Sequence, residues 1–285
     1  MDKYFNIKKI RKREKIFMIE QTKIQKDFEK NGYSVIRADK TKLIRIRSII
    51  QKTLCKRINF KLRDKFLDQD YFFNNFHKII SKKQINEVRF TVYHMMNKGE
   101  KFSQLYYETA KPYLDEILGN ELAMQKKINL SIQMPNDKDS LLDMHSDIYA
   151  GESPFQVVVW IPLVNVYKTK AMFFTSPKVN KNLNDQVLNK NKLNIKQIYY
   201  KNKKKFWFIN AEFGEIVIFS PLILHGNTVN ITKETRFSLN CRFKSLMSPY
   251  DVTVKSHRNI PNFYRPLNIK PMTKIGLNYL KKYSI

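Results

Sequence analysis

The sequence contains only two cysteines, Cys55 and Cys241, among its 285 residues. Two are too few for a disulfide framework, and neither lies in a Cys-x-x-Cys or Cys/His cluster. This scarcity is typical of a reducing compartment. We therefore expect a cytoplasmic protein in which neither thiol has a redox role.

The sequence also lacks a long apolar run. The N-terminal stretch MDKYFNIKKIRKREKIFMIEQ is charged throughout and never forms the apolar core of a signal peptide. No later segment approaches the length of a membrane span. We expect no membrane span, and we assign residues 1–20 to a basic extension that precedes the folded domain.

Acidic residues are few: 25 Asp and Glu stand against 53 Lys and Arg, which gives a formal net charge of +28. Such an excess fits nucleic acid, an anionic membrane surface or an acidic small substrate as a partner. Lysine outnumbers arginine, however, and Asn, Ile, Phe and Tyr are also abundant, as an AT-rich coding bias would produce. The aromatic residues do not interleave with basic ones in a stacking pattern, so we favour compositional bias over a nucleic-acid surface.

Length and apolar content predict one domain. With 285 residues, 42% of them hydrophobic, the chain can bury one substantial core. We place this domain at residues 21–285. It divides into a helical part at about 21–125, a β core at about 126–247 and a C-terminal tail at 248–285.

The first half of the domain shows helical spacing. KIQKDFEKNG predicts an amphipathic helix that stops at Gly32, followed by a short strand YSVI. Asp39 or Thr41 is the candidate cap of the next helix. Three later segments have apolar residues at helical intervals, namely Leu43, Ile46, Ile50 and Leu54, then Ile85, Val88, Val92 and Met95, then LYYETAKPYLDEILG. His77 and His94 lie among these helices without a ligand partner at i+2 or i+4, so we interpret both as structural.

From residue 128 the period changes to that of strands. INLSIQMP and TKETRFSLNCRFKSL alternate between apolar and polar residues, and AMFFTSP is another short strand. PFQVVVWIPLV and GEIVIFSPLIL are apolar on both faces, as central strands are. The Lys/Asn-rich stretch 178–205 predicts a loop or short helix over one end of the sheet. The fold class is therefore mainly β with flanking helices: a β-sandwich or jelly-roll barrel with an N-terminal helical buttress.

Histidine is also scarce, with five in the chain, and His145-x-Asp147 is the one His-x-Asp pair. This spacing alone is a weak signal. His145 and Asp147 lie two apart on one strand and should point to the same side, whereas His225 ends an apolar strand far downstream. Two imidazoles and one carboxylate suit iron(II) and leave adjacent coordination positions open.

The last strand of the β core has one polar and one apolar face. Arg236, Ser238, Asn240 and Arg242 alternate with Phe237, Leu239, Cys241 and Phe243. The polar face could simply meet water. If it instead lines the interior of the barrel, its arginines need an anionic partner, because a buried unpaired charge is costly. That arrangement predicts an acidic ligand.

Together these residues carry a family resemblance. The order H-x-D, a distal H and an arginine eleven residues later in an R-x-S context resembles the Fe(II)/2-oxoglutarate-dependent oxygenases. FEKNGYSVI and VVVWIPL resemble their phytanoyl-CoA hydroxylase-like branch. NLSIQMPND, SPFQVVVWIPLVNVYKTKAMFF and HGNTVNITKETRFSLNCRFKSLMSPY are similar to oxygenases of bacterial carbohydrate-biosynthesis clusters. The resemblance covers roughly residues 25–250 and implies a double-stranded β-helix (jelly-roll) fold.

The resemblance implies roles for individual residues. It assigns three side chains to the iron(II) ion: His145, Asp147 and His225. Arg236, helped by Ser238, matches the residues that grip the distal carboxylate of 2-oxoglutarate, where a guanidinium fork fits a carboxylate. Gln133 and Trp160 are further candidate neighbours of the cosubstrate. YKTKAMFFTSP departs from the branch's N-G-P-L turn, so an analogy to acyl-CoA or amino-acid substrates does not carry over.

The implied function is oxidation of a small molecule with iron(II), 2-oxoglutarate and O2. Hydroxylation is the default outcome. The resemblance alone makes a sugar, nucleotide-sugar or glycan precursor the expected substrate, and a basic rim would suit a phosphate-bearing carrier. A nucleic-acid demethylase on the same fold is one alternative, and it would bind with strong salt dependence. A metal-free cupin-like sugar-binding or isomerase module, or an inactive scaffold, is another. The oligomeric state is not predicted.

Overall fold

A computed structural model of the chain describes residues 20–188, 195–248, 260 and 262–283. The predicted basic extension lies outside the described residues, apart from Glu20. The helices are α1 (Lys23–Asn31), α2 (Lys40–Arg57), α3 (Gln69–Asn74), α4 (Ile85–Met96), α5 (Lys101–Leu118), α6 (Pro177–Leu188), α7 (Ile195–Asn202) and α8 (Pro271–Tyr283). The strands are β1 (Tyr33–Arg37), β2 (Leu122–Gln125), β3 (Asn129–Gln133), β4 (Gln156–Pro162), β5 (Phe173–Thr175), β6 (Phe206–Phe208), β7 (Glu215–Phe219), β8 (Arg236–Ser245) and β9 (Tyr264–Leu267).

The strands form two antiparallel sheets. The larger has seven strands in the order β1-β7-β4-β8-β2-β9, with β3 pairing to β8, and β5 pairs with β6 in the smaller sheet. Across the described part of the chain the larger sheet ends at β1 and β9 without joining, so the barrel is not closed. The predicted class, a mainly β jelly-roll architecture with flanking helices, is confirmed.

Local sequence signals set the helix ends. Thr22 caps α1 and accepts a hydrogen bond from the Gln25 N–H, with the Gln25 side chain completing a capping box. Gly32 ends α1 in the left-handed conformation at φ 75°, which glycine adopts without strain. Asp39 caps α2 by accepting from two backbone N–H groups, which decides between the two predicted caps.

The N-terminal helices bury the apolar face of the larger sheet. Phe237 of β8 packs edge-on against Phe73 and Phe76, with ring centroids 5.0 and 5.2 Å apart. The Tyr106 hydroxyl of α5 donates to the Val159 carbonyl of β4 at 2.7 Å. The opposite face of the sheet, which bears the polar residues of β8, is therefore left for the functional site.

Several elements differ from the sequence predictions. The Lys/Asn-rich stretch contains two helices, α6 and α7, rather than one short helix or a loop. The apolar segment GEIVIFSPLIL is a strand only as far as Phe219, because Ser220 and Pro221 begin a turn. The region treated as a C-terminal tail contributes β9, which pairs with β2, and the amphipathic α8.

Candidate metal centre

The two histidines of the site are joined through their backbones. The His145 N–H donates to the His225 carbonyl, and the His225 N–H donates to the His145 carbonyl, both at 2.9 Å. They form an isolated antiparallel bridge outside the named strands. Reciprocal bonds of this kind hold two residues directly opposite each other. The spacing of the imidazoles is thus set by the main chain, and their ring centroids lie 4.3 Å apart.

Each imidazole has one nitrogen engaged by the backbone. Nδ1 of His145 lies 2.8 Å from the Asp143 carbonyl, and Nδ1 of His225 lies 2.9 Å from the Ile223 carbonyl. A carbonyl can only accept, so Nδ1 carries the proton and Nε2 keeps its lone pair. Burial, together with His145, lowers the pKa of His225 to about 4. His225 is therefore neutral at physiological pH, as a metal ligand must be.

Asp147 completes a cluster of three candidate ligands. Ligand atoms of His145, Asp147 and His225 all lie within 4.8 Å of one another. Asp147 begins a 3-10 turn, Asp147–Ala150, instead of continuing a strand as the sequence suggested. Its N–H donates to the Pro221 carbonyl at 3.0 Å, which ties this turn to the chain leading into His225.

The carboxylate of Asp147 is held by an arginine that was not singled out from the sequence. Arg242 donates from Nη2 to Oδ1 at 2.8 Å and from Nε to Oδ2 at 3.2 Å. Burial alone would raise the pKa of Asp147, but Arg242, with His225 and His145, brings it below its ordinary value. Asp147 is thus ionised and its negative charge is compensated.

Arg236 presents the opposite situation on the same strand. Its side chain is 2% exposed, and Nη2 donates to the Ser131 hydroxyl at 3.1 Å. Nε and Nη1 are both buried and have no hydrogen-bond partner among the described residues. Burial, and the nearby Arg89, lower the pKa of Arg236 to about 10, so it remains a cation at neutral pH. A buried guanidinium with two unused donors fits an absent anion.

Three neighbouring polar atoms likewise have no partner in the part of the chain that the structure describes. They are Ser238 Oγ, Gln133 Oε1 and Thr228 Oγ1. Gln133 lies directly opposite Arg236 in the β3–β8 register, and its Nε2 donates to the Thr228 carbonyl at 2.7 Å. Predicted cosubstrate residues Arg236, Ser238 and Gln133 therefore share one buried polar pocket. Thr228 had no sequence signal beyond following the His225 turn.

Trp160 lies on the same face of the sheet. It pairs with Asn240 of β8 and Val217 of β7 and is 2% exposed. Cross-strand partners project to the same side, so the indole lies between the Arg236 pocket and the Arg242–Asp147 pair along β8. The structure brings this fourth candidate to the site, with no polar contact to it from the residues that are described.

An aromatic wall closes the metal-ligand cluster on the β7 side. The ring of Phe219 lies 4.9 Å from that of His225, and Phe174 lies 5.0 Å from Phe219. These rings contribute to the burial that, together with His145, lowers the pKa of His225. His77 and His94 lie elsewhere: His77 hydrogen-bonds the Thr235 hydroxyl at 2.9 Å, and His94 packs on Phe90. Neither joins the ligand cluster.

Comparisons with known proteins agree with this geometry. A family model described as phytanoyl-CoA dioxygenase (PhyH) matches residues 28–238. No curated protein sequence matches significantly.

Across the described residues, no helix is both long and apolar enough to cross a membrane.

Solved structures show the same fold at low sequence identity. EctD from S. alaskensis in its apo form aligns with a TM-score of 0.54 and 12% identity, covering 81% of this chain and 79% of EctD. EctD with 2-oxoglutarate and 5-hydroxyectoine gives 0.53 at 12% identity, covering 81% of this chain and 78% of that one. The apo form of the non-haem monooxygenase ThoJ gives 0.51 at 14% identity, covering 79% of each chain.

Proposed function

The chain belongs to the phytanoyl-CoA dioxygenase family of iron(II)- and 2-oxoglutarate-dependent oxygenases, and on that premise we propose that it oxidises a C–H bond of a small sugar-type molecule. The enzyme class follows from the family. The proposal concerns the residues that carry out the reaction, the kind of substrate and the outcome, for which hydroxylation is the default.

One observation supports the residue assignment above all others. Arg242, which holds Asp147 of the three-residue ligand cluster, and Arg236, whose Nε and Nη1 have no partner among the described residues, lie on the same face of β8. The cluster offers two imidazoles and one ionised carboxylate, the donor set that suits iron(II) with open positions. Arg236 offers two buried cationic donors to a carboxylate. The residues present therefore fit both the metal and a dicarboxylate cosubstrate.

The cofactors supply the oxidising chemistry, whereas the side chains of the protein bind, orient and exclude water. Iron(II) with 2-oxoglutarate and O2 supplies the oxidising step, in which the cosubstrate loses CO2 to become succinate as the substrate is oxidised. His145, Asp147 and His225 would hold the metal, and because both Nδ1 atoms are bonded to backbone carbonyls, Nε2 of each histidine would be the ligand atom. Phe174, Phe219 and other buried side chains exclude water from this edge of the site.

The Arg236 pocket would orient the cosubstrate. Nε and Nη1 of Arg236 and the hydroxyl of Ser238 are the unpaired donors for its distal carboxylate. Gln133 and Thr228 are the adjacent polar neighbours, and Trp160 supplies a flat apolar surface between this pocket and the metal ligands. We propose these five residues as the cosubstrate site.

The substrate is proposed from the family resemblance and from the lysines near the His-x-Asp segment. The Lys-rich helices α6 and α7 contact the segment around the His-x-Asp pair: Lys196 lies 3.4 Å from Asp143, and the Tyr149 hydroxyl donates to Asn184. A basic rim at this position suits a sugar that bears a phosphate or nucleotide.

Two free thiols, Cys55 and Cys241, accord with a reducing cytoplasmic compartment.

Anaerobic reconstitution tests the proposal. Adding Fe(II) and then 2-oxoglutarate to the folded protein should give the weak visible absorption band of the iron–cosubstrate chelate. His225→Ala should abolish it, because it removes a ligand without touching the Arg236 pocket. A wild-type protein without the band would contradict the proposal and favour the metal-free module. A band that survives in His225→Ala would refute the ligand assignment.

A further inference from the structure

A buried polar network extends from Asp147 away from the Arg236 pocket. Its centre is Arg242, which grips both oxygens of Asp147 at 2.8 and 3.2 Å. The remaining face of the guanidinium is also used: Nη1 donates to Gln125 Oε1 at 3.2 Å, and Nε lies 3.7 Å from Glu152 Oε1. Arg242 is therefore held from three directions and has little freedom to swing away from Asp147.

The network continues from Glu152 to the C-terminal strand. Tyr264 of β9 donates its hydroxyl hydrogen between Glu152 Oε2, at 2.8 Å, and Gln156 Oε1, at 2.7 Å. Gln156 Nε2 also donates to Glu152 Oε2 at 3.2 Å. Glu152 and Gln156 are 4% and 3% exposed, and Tyr264 is fully buried. No bulk water competes for these bonds, so each group depends on its protein partners.

We infer that Arg242, locked in place by Glu152 and Tyr264, is a positioning residue that fixes the orientation of Asp147 for metal binding. The inference rests on the proposed function in that it takes Asp147 as a metal ligand. Arg242, Glu152 and Tyr264 would thereby support the metal centre, and Tyr264 would connect β9 to it.

The geometry of the fork explains why an arginine is needed. A carboxylate on a single side-chain bond can rotate, and two parallel N–H donors from one planar guanidinium remove that freedom. One oxygen can then bind the metal while the other stays with Arg242. Ligating carboxylates are commonly held by such hydrogen-bond donors, and loss of the donor typically weakens metal binding about 10- to 100-fold.

Electrostatic repulsion by Arg242 opposes its positioning effect, so the two effects predict opposite changes in metal affinity when Arg242 is replaced. Arg242 is a cation beside a ligand of a divalent cation, so removing it also removes electrostatic repulsion. If repulsion dominated, Arg242→Gln would bind metal more tightly than wild type. The positioning role requires the opposite result.

The experiment measures binding of Ni(II) alone by calorimetry, without cosubstrate or turnover. Arg242→Gln should bind Ni(II) about 10- to 100-fold more weakly than wild type. Arg242→Lys keeps the charge but cannot form the fork, and it should be weakened as well. Arg265→Gln is the matched control, because Arg265 lies beside Tyr264 but contacts Glu100 and Ser103 on the other side of β9. Its affinity for Ni(II) should equal that of wild type.

Tyr264→Phe keeps the inference testable if Arg242→Gln fails to fold. It deletes one hydroxyl, leaves Glu152 bonded to Gln156, and should lower Ni(II) affinity by a smaller factor, about threefold to tenfold. Near-ultraviolet circular dichroism of each variant shows whether the core is intact.

The outcomes separate the two proposals. Wild-type protein that binds no Ni(II) would overturn the proposed function itself. Wild-type binding together with unchanged or tighter binding in the folded Arg242 variants would overturn the positioning role alone. Full affinity in Arg242→Lys would also contradict it, because charge without the fork would then suffice.

Discussion

At the scale of single residues, the two arginines of β8 show how similar sequence positions acquire different tasks. Arg236 and Arg242 lie on the same face of the strand, as the alternation predicted. Arg242 meets two carboxylates, whereas Arg236 retains two unpaired donors. Strand alternation identifies a face but not the acid that comes to lie opposite, and Asp147 is 95 positions from Arg242 in the chain. The sequence could not distinguish the two tasks without the family resemblance.

Substitution of Arg236 should raise the cosubstrate requirement. Arg236→Ala removes both donors, and we expect the 2-oxoglutarate concentration for half-maximal succinate release to rise about tenfold to a thousandfold, from loss of a bidentate charged contact. Arg236→Lys should fall between this variant and wild type, because an ammonium cannot form the fork. Succinate release that is unchanged at low 2-oxoglutarate would reject the assignment.

The lowered pKa of His225 predicts acid sensitivity of the metal-free protein. Its pKa is about 4 when folded, against an ordinary value of 6.5, so only the unfolded chain takes up the proton between these two pH values. The resulting stability is complete above pH 6.5 and is lost as the pH falls towards 4, to a total of about 3 kcal/mol. Urea unfolding from pH 7 to pH 4.5 measures it. His225→Ala should lose less stability over this range than wild type, and parallel losses would contradict the prediction.

At the scale of secondary-structure elements, periodic segments were predicted well and short ones poorly. The helical spacing that begins at Leu43 and the alternation of β8 each appear in the structure at the expected residues. The strands β2, β6 and β9 went unrecognised because three or four residues are too few for a period to show, and the equally short β5 was recognised only from its apolar run. His225 lies beyond the end of β7 because a turn at Ser220 interrupts the apolar run. Local pattern cannot reveal the backbone bridge that then brings His225 to His145.

Gly226 is required next to the backbone bridge between His145 and His225, because a side chain there would meet the neighbouring backbone. A Cβ at this position would lie 2.7 Å from the Leu142 carbonyl oxygen and 3.1 Å from that of Asp143, which holds the His145 ring. Backbone cannot yield as a side chain does, so Gly226→Ala should destabilise the protein by about 1–3 kcal/mol and weaken metal binding. Urea unfolding and Ni(II) titration measure the two effects.

Gly276→Ala is the control for this prediction. Gly276 lies within α8, and a Cβ there meets nothing within 4 Å. Alanine should be neutral or stabilise by up to about 1 kcal/mol, from helix propensity. Equal stability of the Gly226→Ala variant and wild type would show that the bridge relaxes around the added methyl group.

At the scale of the whole molecule, the helical and β parts are joined by polar as well as apolar contacts. Lys170, fully buried, donates to the Asn74 side chain at 2.6 Å and to Glu234 at 2.7 Å. Asn74 ends α3, and Glu234 lies two residues before the start of β8. The ion pair therefore fixes the helical layer to the strand that bears the Arg236 pocket.

Lys170→Met should destabilise the entire fold. We expect a loss of about 3 kcal/mol, the lower end for a broken buried ion pair, because Glu234 is partly exposed. Lys233→Met, at an exposed position next to Glu234, is the control and should stay within about 0.5 kcal/mol of wild type. Thermal and urea unfolding of both variants provide the comparison, and equal stability of the two would show that this ion pair does not hold the layers together.

The backbone bridge between His145 and His225 has a consequence for the lifetime of the protein. The two histidines meet only when distant parts of the chain have paired, so an unfolded chain has no ready-made metal site and metal uptake is linked to folding. A ligand that binds only the folded state stabilises it, by about 2.7 kcal/mol at a free concentration one hundred times its dissociation constant. The iron supply would then affect how fast the protein is degraded as well as its catalytic activity. In iron-poor cells the chain would unfold more often and be degraded sooner.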